Sequence, residues 1–160
     1  MTSPFAERFE VTSDLAQLHA IESGWFFAMR KRAEWRDTDA FGHINHLTYL
    51  AWCEDARNCY LEHIGMPRLS RTKPGPVLKS VDFDYEKELV FGDEVVVTAK
   101  TLSVRQTSFR MKYAIWKNGL VGLGHALVVL VTNSSGARTK IPARVREMMI
   151  SRDGAIDESA

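Results

Sequence analysis

A chain of 160 residues with 45% hydrophobic side chains has the size and apolar content of one domain with its own core. A formal charge of +1 excludes the broad basic face of a nucleic-acid binder and the acidic tail of a solvating segment. The longest near-apolar run, Gly119 to Val131, is interrupted by His125 and falls short of the ~20 residues that cross a bilayer, so no membrane segment is expected.

The opening MTSPFAERFE carries acids and lacks an apolar h-region, so no secretory signal is read there, and residues 1–11 look like a loose lead-in. Ser13, followed by DLAQLHAIE, predicts an N-capped helix with Asp14 near its positive end and Gly24 closing it. Residues 1–24 therefore form an extension with a short helix, ahead of a single domain over 25–150. From Trp25 to Trp35 the chain alternates, Phe27, Met29, Ala33 and Trp35 against Arg30, Arg32 and Glu34, with Lys31 on the apolar side. That is strand periodicity.

Leu47 to Ile64 predicts a long helix. Tyr49, Leu50, Trp52, Cys53, Ala56, Cys59, Tyr60, Leu61 and Ile64 fill more than half of its circumference, and Glu54, Asp55, Asn58 and Glu62 share a narrow polar stripe. A helix this apolar is enclosed on most sides. Gly65 supplies a left-handed cap and Pro67 forbids continuation. Cys53 and Cys59 lie about 240° apart around it and cannot pair with each other, which implies a reduced, cytoplasmic protein.

Pro74-Gly75-Pro76 reads as punctuation. Four strand candidates follow: Val77–Tyr85, Glu94–Val104, Ser108–Lys117 and Leu120–Thr132. Asn118-Gly119 is the preferred two-residue hairpin turn, so the last two pair antiparallel. The run LVGLGHALVVLV suits a strand covered on both faces. Pro142 opens a short helix through Ile150, and residues 151–160 read as a disordered tail. Helix, strand, long helix and four antiparallel strands make an α+β fold with the long helix against one sheet face.

The candidate chemistry lies between Arg36 and the start of the long helix. Backbone N–H groups near Asn45, His46 and Leu47 would be the unpaired donors of the helix start, able to polarise a carbonyl oxygen. A carboxylate opposite them, Asp39, could attack the carbonyl carbon or activate water, an acyl-transfer arrangement without a serine or cysteine nucleophile. The blander alternative is that Asp37 or Asp39 is only a turn former. His43 and His46 at three-residue separation have no further ligand cluster beside them, so no metal site is assigned. His125 reads as a hydrogen-bonded core residue, and Cys53 and Cys59 as small core residues.

Asp37-Thr38-Asp39-Ala40-Phe41-Gly42-His43-Ile44-Asn45, then Tyr49-Leu50 and Glu54-Asp55-Ala56-Arg57, resembles the motif of the hotdog-fold acyl-CoA thioesterases, in the 4-hydroxybenzoyl-CoA thioesterase-like branch. Val81-Asp82-Phe83-Asp84-Tyr85, Phe91-Gly92-Asp93-Glu94-Val95 and Ser108-Phe109 are similar too, and the resemblance spans roughly Phe27 to Pro142. It implies a hotdog fold, a five-stranded antiparallel sheet wrapped around the long central helix. It also implies a homodimer or homotetramer with active sites at the subunit interface.

By this resemblance Asp39 is the catalytic carboxylate and the His46 N–H the oxyanion donor, with the His46 side chain as a possible helper. Asn45, Tyr49 and Trp52 would line the substrate pocket, Arg105 and Lys140 would meet coenzyme A phosphates, and Trp35 matches an aromatic before the aspartate. The implied reaction is hydrolysis of an acyl-CoA thioester, with coenzyme A or acyl carrier protein as thiol carrier and no cofactor. Two alternatives share the scaffold: an enoyl-CoA hydratase and a non-catalytic acyl-CoA-binding or scaffold protein. Hydratases of this fold place a histidine five residues after the aspartate. Here His43 is four after Asp39, which argues against hydration.

Overall fold

The computed structural model describes residues 8–67 and 70–159, so of the loose lead-in expected over 1–11 residues 1–7 lie outside the described residues, and Arg8–Glu10 is a strand paired with the next one instead. In chain order the elements are β1 (Arg8–Glu10), α1 (Ser13–His19), β2 (Phe27–Arg32), α2 (His46–His63), β3 (Pro74–Tyr85), β4 (Glu94–Val104), β5 (Ser108–Trp116), β6 (Leu120–Thr132), α3 (Ala143–Asp153) and β7 (Ile156–Asp157). The long strands run β2-β4-β5-β6-β3, all antiparallel, giving the five-stranded sheet of an α+β hotdog fold. Two short strands extend it: β1 on the free edge of β2, and β7 parallel to the end of β4.

Alternation along β4 explains how one sheet holds two cores. Val95, Val97 and Ala99 point toward α2, whose Tyr49, Trp52, Cys53, Ala56, Tyr60 and Leu61 are buried with them. Val96, on the opposite face, joins Ala28, Ala114 and Trp116 under Leu15 and Ile21 of the N-terminal extension. Each large apolar side chain so enclosed contributes about 1.5–3 kcal/mol. The N-terminal extension thus covers the outer sheet face. Trp25 meets Trp116 edge-on there, with Lys100 Nζ 4.9 Å from the Trp25 ring.

Lys31, on the apolar side of β2, reaches the polar stripe of α2 and pairs with Asp55 at 2.5 Å. Gly65, at φ +96°, ends α2: the Met66 N–H donates to the Leu61 carbonyl at 2.8 Å, closing the last turn. Asn118 and Gly119 both have positive φ and form the tight β5–β6 hairpin.

Several expectations are corrected. Thr12, not Ser13, caps α1, its hydroxyl accepting from the Leu15 N–H at 3.3 Å, and Ala20 rather than Gly24 closes it. Pro74 and Pro76 belong to β3 instead of preceding it. β3 is the edge strand beyond β6, and prolines two residues apart direct their missing N–H groups to the same side of an edge. His125 is half-buried on the outer face, 3.0 Å from Asp82, rather than a core residue. Residues 151–159 are not a disordered tail. Asp153 ends α3, and one of its carboxylate oxygens accepts from the Tyr60 hydroxyl at 2.5 Å and the Thr101 N–H at 2.7 Å. Beyond it, β7 pairs with β4, and Glu158 pairs with Arg105 at 3.0 Å.

Candidate active site

The segment between β2 and α2 is closed almost entirely by its own backbone. A short 3-10 turn over Trp35–Asp37 begins it, and the Asp37 carboxylate accepts from the Glu34 N–H at 2.8 Å. The Asn45 N–H then donates to the Asp37 carbonyl at 2.7 Å, and the Asp39 N–H to the His43 carbonyl at 2.7 Å. Gly42, at φ +82°, makes the reversal possible. The loop is anchored outside itself by the Ile44 N–H donating to the Leu89 carbonyl at 2.8 Å.

Within this frame Asp39 has a divided role. Its Oδ1 accepts from the N–H groups of Phe41 at 2.8 Å and His43 at 3.2 Å, as a turn-forming aspartate does. Its Oδ2 has no hydrogen-bond partner among the described residues. The turn therefore fixes the side chain while leaving one oxygen available.

Asn45 is the N-cap of α2, its Oδ1 accepting from the Leu47 N–H at 2.9 Å. With the Leu47 donor satisfied, the His46 N–H is left without an acceptor among the described residues. It is an orphan donor at the positive end of an 18-residue helix.

Asp39 and His46 line one cleft of about 400 Å³, together with His43, Ile44, Tyr49 and Tyr85. Glu86, Lys87 and Glu88, which follow β3, complete its wall. The Tyr85 hydroxyl donates to the His46 carbonyl at 3.2 Å, and Tyr49 and Tyr85 meet edge-to-face with ring centroids 5.2 Å apart. Burial pushes the Tyr49 phenol above its ordinary value, so it remains a neutral donor to the Lys87 carbonyl at 3.4 Å. His43 Nε2 faces Glu88 at 3.2 Å.

The other expected site residues separate from this cleft. Asn45 acts on the helix start, and Trp52 is buried in the core beside Tyr49, with ring centroids 6.0 Å apart. Trp35 is exposed and packs edge-on against Phe91. Lys140 is exposed and lines neither described cleft. Arg105 lines a second cleft, of about 100 Å³, reached by Lys79 from the middle of β3. Lys79, Arg110 and Arg138 line it too, and none of these three has an ion-pair partner among the described residues, whereas Arg105 faces Glu158.

Sequence reasoning passed over Tyr85 and the Glu86–Glu88 wall. The alternation Val81, Phe83, Tyr85 was the available signal, since it places three apolar side chains on one face of the strand. Lys79, Arg110 and Arg138 are far apart in sequence, and only strand register brings them together.

Residues 33–149 match the Thioesterase-like superfamily. The chain belongs to that family. A thioesterase-superfamily structure from Jannaschia sp. CCS1 superposes with a TM-score of 0.85 at 30% identity, covering 94% of this chain and 96% of that one. A thioesterase from Thermus thermophilus, solved with coenzyme A and zinc, gives 0.71 at 25% identity over 83% of this chain and 98% of its own. A 1,4-dihydroxy-2-naphthoyl-CoA hydrolase from Rippkaea orientalis is 28% identical over 95 residues, which are 58% of this chain and 67% of that protein.

Proposed function

We propose that this thioesterase-family chain hydrolyses acyl-CoA thioesters to a free acid and coenzyme A. The observation that carries the reading is the convergence on one cleft of a carboxylate oxygen on Asp39 and a helix-start N–H on His46, neither with a hydrogen-bond partner among the described residues. The thioester carbonyl oxygen accepts from the His46 N–H, where the helix dipole stabilises the charge that develops on it. Asp39 Oδ2 either attacks the carbonyl carbon, giving a mixed anhydride that water opens, or takes a proton from an attacking water. In both routes the carbon–sulfur bond breaks and the thiol leaves. Water is the only co-reactant, and the exposed His46 ring stands at the same mouth as an accessory group.

The phosphates of the carrier need cations, and the second cleft offers Lys79, Arg110 and Arg138 with Arg105 beside them. Lys140 is assigned no part. Support for a second copy of the chain at the site comes from β3. It is an edge strand whose Val77, Leu78, Val81 and Tyr85 are exposed, and its last residue walls the Asp39 cleft.

A thiol-release assay across short, long, branched and aromatic acyl-CoAs, run on the chain and on Asp39→Asn, tests the reading. Asparagine keeps an oxygen for the turn and cannot act as nucleophile or base. Loss of thiol release with an unchanged circular dichroism spectrum is the expected result, and near-full turnover by the variant would sink the assignment. Supplying an unsaturated acyl-CoA separates hydration, read as loss of the double bond, from hydrolysis. Light scattering reads the oligomer.

A further inference from the structure

β6 carries two glycines where its neighbours on the same face carry side chains. Gly122 and Gly124 precede Ala126, Val128 and Leu130, which are buried in the core. The missing Cβ atoms are not idle: one at Gly122 would stand 2.5 Å from Phe83 Cε1, and one at Gly124 2.6 Å from Phe83 Cδ2. Strand register sets Phe83 opposite Gly124 and Tyr85 opposite Gly122. The glycines thus floor a trough that the Phe83 ring fills. The ring is only half-buried, and it leans on Tyr85 at 4.8 Å and Tyr49 at 5.9 Å between centroids, the two aromatics that line the Asp39 cleft.

We propose that the Phe83 ring, seated on Gly122 and Gly124, sets the depth of the acyl pocket and restricts the chain to compact acyl groups. The inference rests on the thioester-hydrolase reading above. An acyl group attached to a carbonyl between Asp39 and His46 meets Tyr49 and Tyr85 first, and behind them the Phe83 ring. A flat ring or a short chain is accommodated against that wall. A long chain needs the trough, and the trough is occupied. Phe83 touches the distal part of the acyl group and takes no part in bond breaking, so it acts on which substrate is chosen.

The test is the ratio of kcat/KM for decanoyl-CoA to that for butyryl-CoA, in the full chain and in Phe83→Leu, Phe83→Ala and Phe83→Ala/Gly122→Ala. The unsubstituted chain is expected to favour butyryl-CoA. Phe83→Ala should raise the ratio about tenfold or more, the scale of discrimination by an apolar pocket. Phe83→Leu should fall between, and the added Gly122→Ala should reverse part of the gain by refilling the floor. Phe83→Leu carries the test if the alanine variant does not fold. Equal ratios in all folded variants, or a preference of the unsubstituted chain for decanoyl-CoA, would overturn the proposal. Affinities for the same series, measured by calorimetry with Asp39→Asn, read pocket depth without turnover. Absence of thiol release would therefore count against the reaction alone, while affinities indifferent to Phe83 would count against the pocket wall.

Discussion

The Tyr85 hydroxyl donates to the carbonyl of His46 at 3.2 Å, so the last residue of β3 holds the first residue of α2. The peptide unit that presents the proposed oxyanion donor is thereby fixed to the sheet as well as to its own helix. Tyr85→Phe removes the bond and keeps the ring. Stability should fall by about 1 kcal/mol or less, the worth of one partly exposed hydrogen bond. Turnover should fall severalfold with KM little changed, because a looser His46 N–H weakens the transition state rather than binding. Steady-state kinetics beside a urea melt check this.

Asp39→Ala should differ from Asp39→Asn in folding as well as chemistry. The asparagine retains an acceptor for the Phe41 and His43 N–H groups, and the alanine leaves both without one. A further destabilisation of about 1 kcal/mol is expected for alanine alone. Denaturant melts of the two variants, which should be equally inactive, separate the turn-forming role of Asp39 from its proposed chemical one.

Asp153 makes the stability of the C-terminal region depend on pH. Burial raises its carboxyl above the ordinary 3.8, against the opposing pull of its hydrogen bonds from Tyr60 and Thr101. A carboxyl with a raised folded-state value contributes stability that is fully present below its unfolded value. That contribution is lost as pH rises through the folded value. Stability should therefore decline as pH climbs from about 4. Asp153→Asn, which keeps the acceptor and has no charge, should remove that slope. Asp153→Ala should cost about 1–3 kcal/mol at low pH and less as pH rises, by leaving the Thr101 N–H without its acceptor. Urea melts at a series of pH values distinguish the three proteins.

Arg110→Ala and Arg138→Ala should each raise KM for an acyl-CoA and leave the same acyl group on pantetheine unaffected, with kcat preserved for both. The difference should shrink as salt is added, since the clefted cations are exposed and screened. Comparison of the two substrates at low and high ionic strength measures it.

Burial pushes the Cys53 thiol up to about 12, so it is protonated at neutral pH, and it lies inside the core. Alkylation of the native protein near pH 8 should label Cys59, which is only half-buried, before Cys53. Mass spectrometry of digests resolves the order.

Most of the fold was legible because its signals are local. The apolar arc of α2, the Asn118-Gly119 turn and the alternation in β2 and β5 each follow from a few neighbouring residues. The Asp39 loop and the mouth of α2 were legible for the same reason, as a turn followed by a cap. Features set by distant partners were not. The trough under Phe83 depends on a β3–β6 register, and the order of residues 151–159 depends on Tyr60 and Thr101 reaching Asp153 from two other elements. Pro74 and Pro76 read as a break because sequence does not reveal that their strand lies at an edge. The burial of Arg57 on α2, with its guanidinium beside Glu54 and Tyr113, likewise depends on a partner from β5.

The path of the last residues bears on how the protein is handled. Asp157 and Ser159 both meet Arg146, and Glu158 offsets Arg105 at the rim of the cationic cleft. A purification tag fused after this segment would lie close to that rim, and a polyhistidine or acidic tag would alter its field. Carrier affinity measured on a tagged sample would then include the tag, so the cleaved protein is the proper reference.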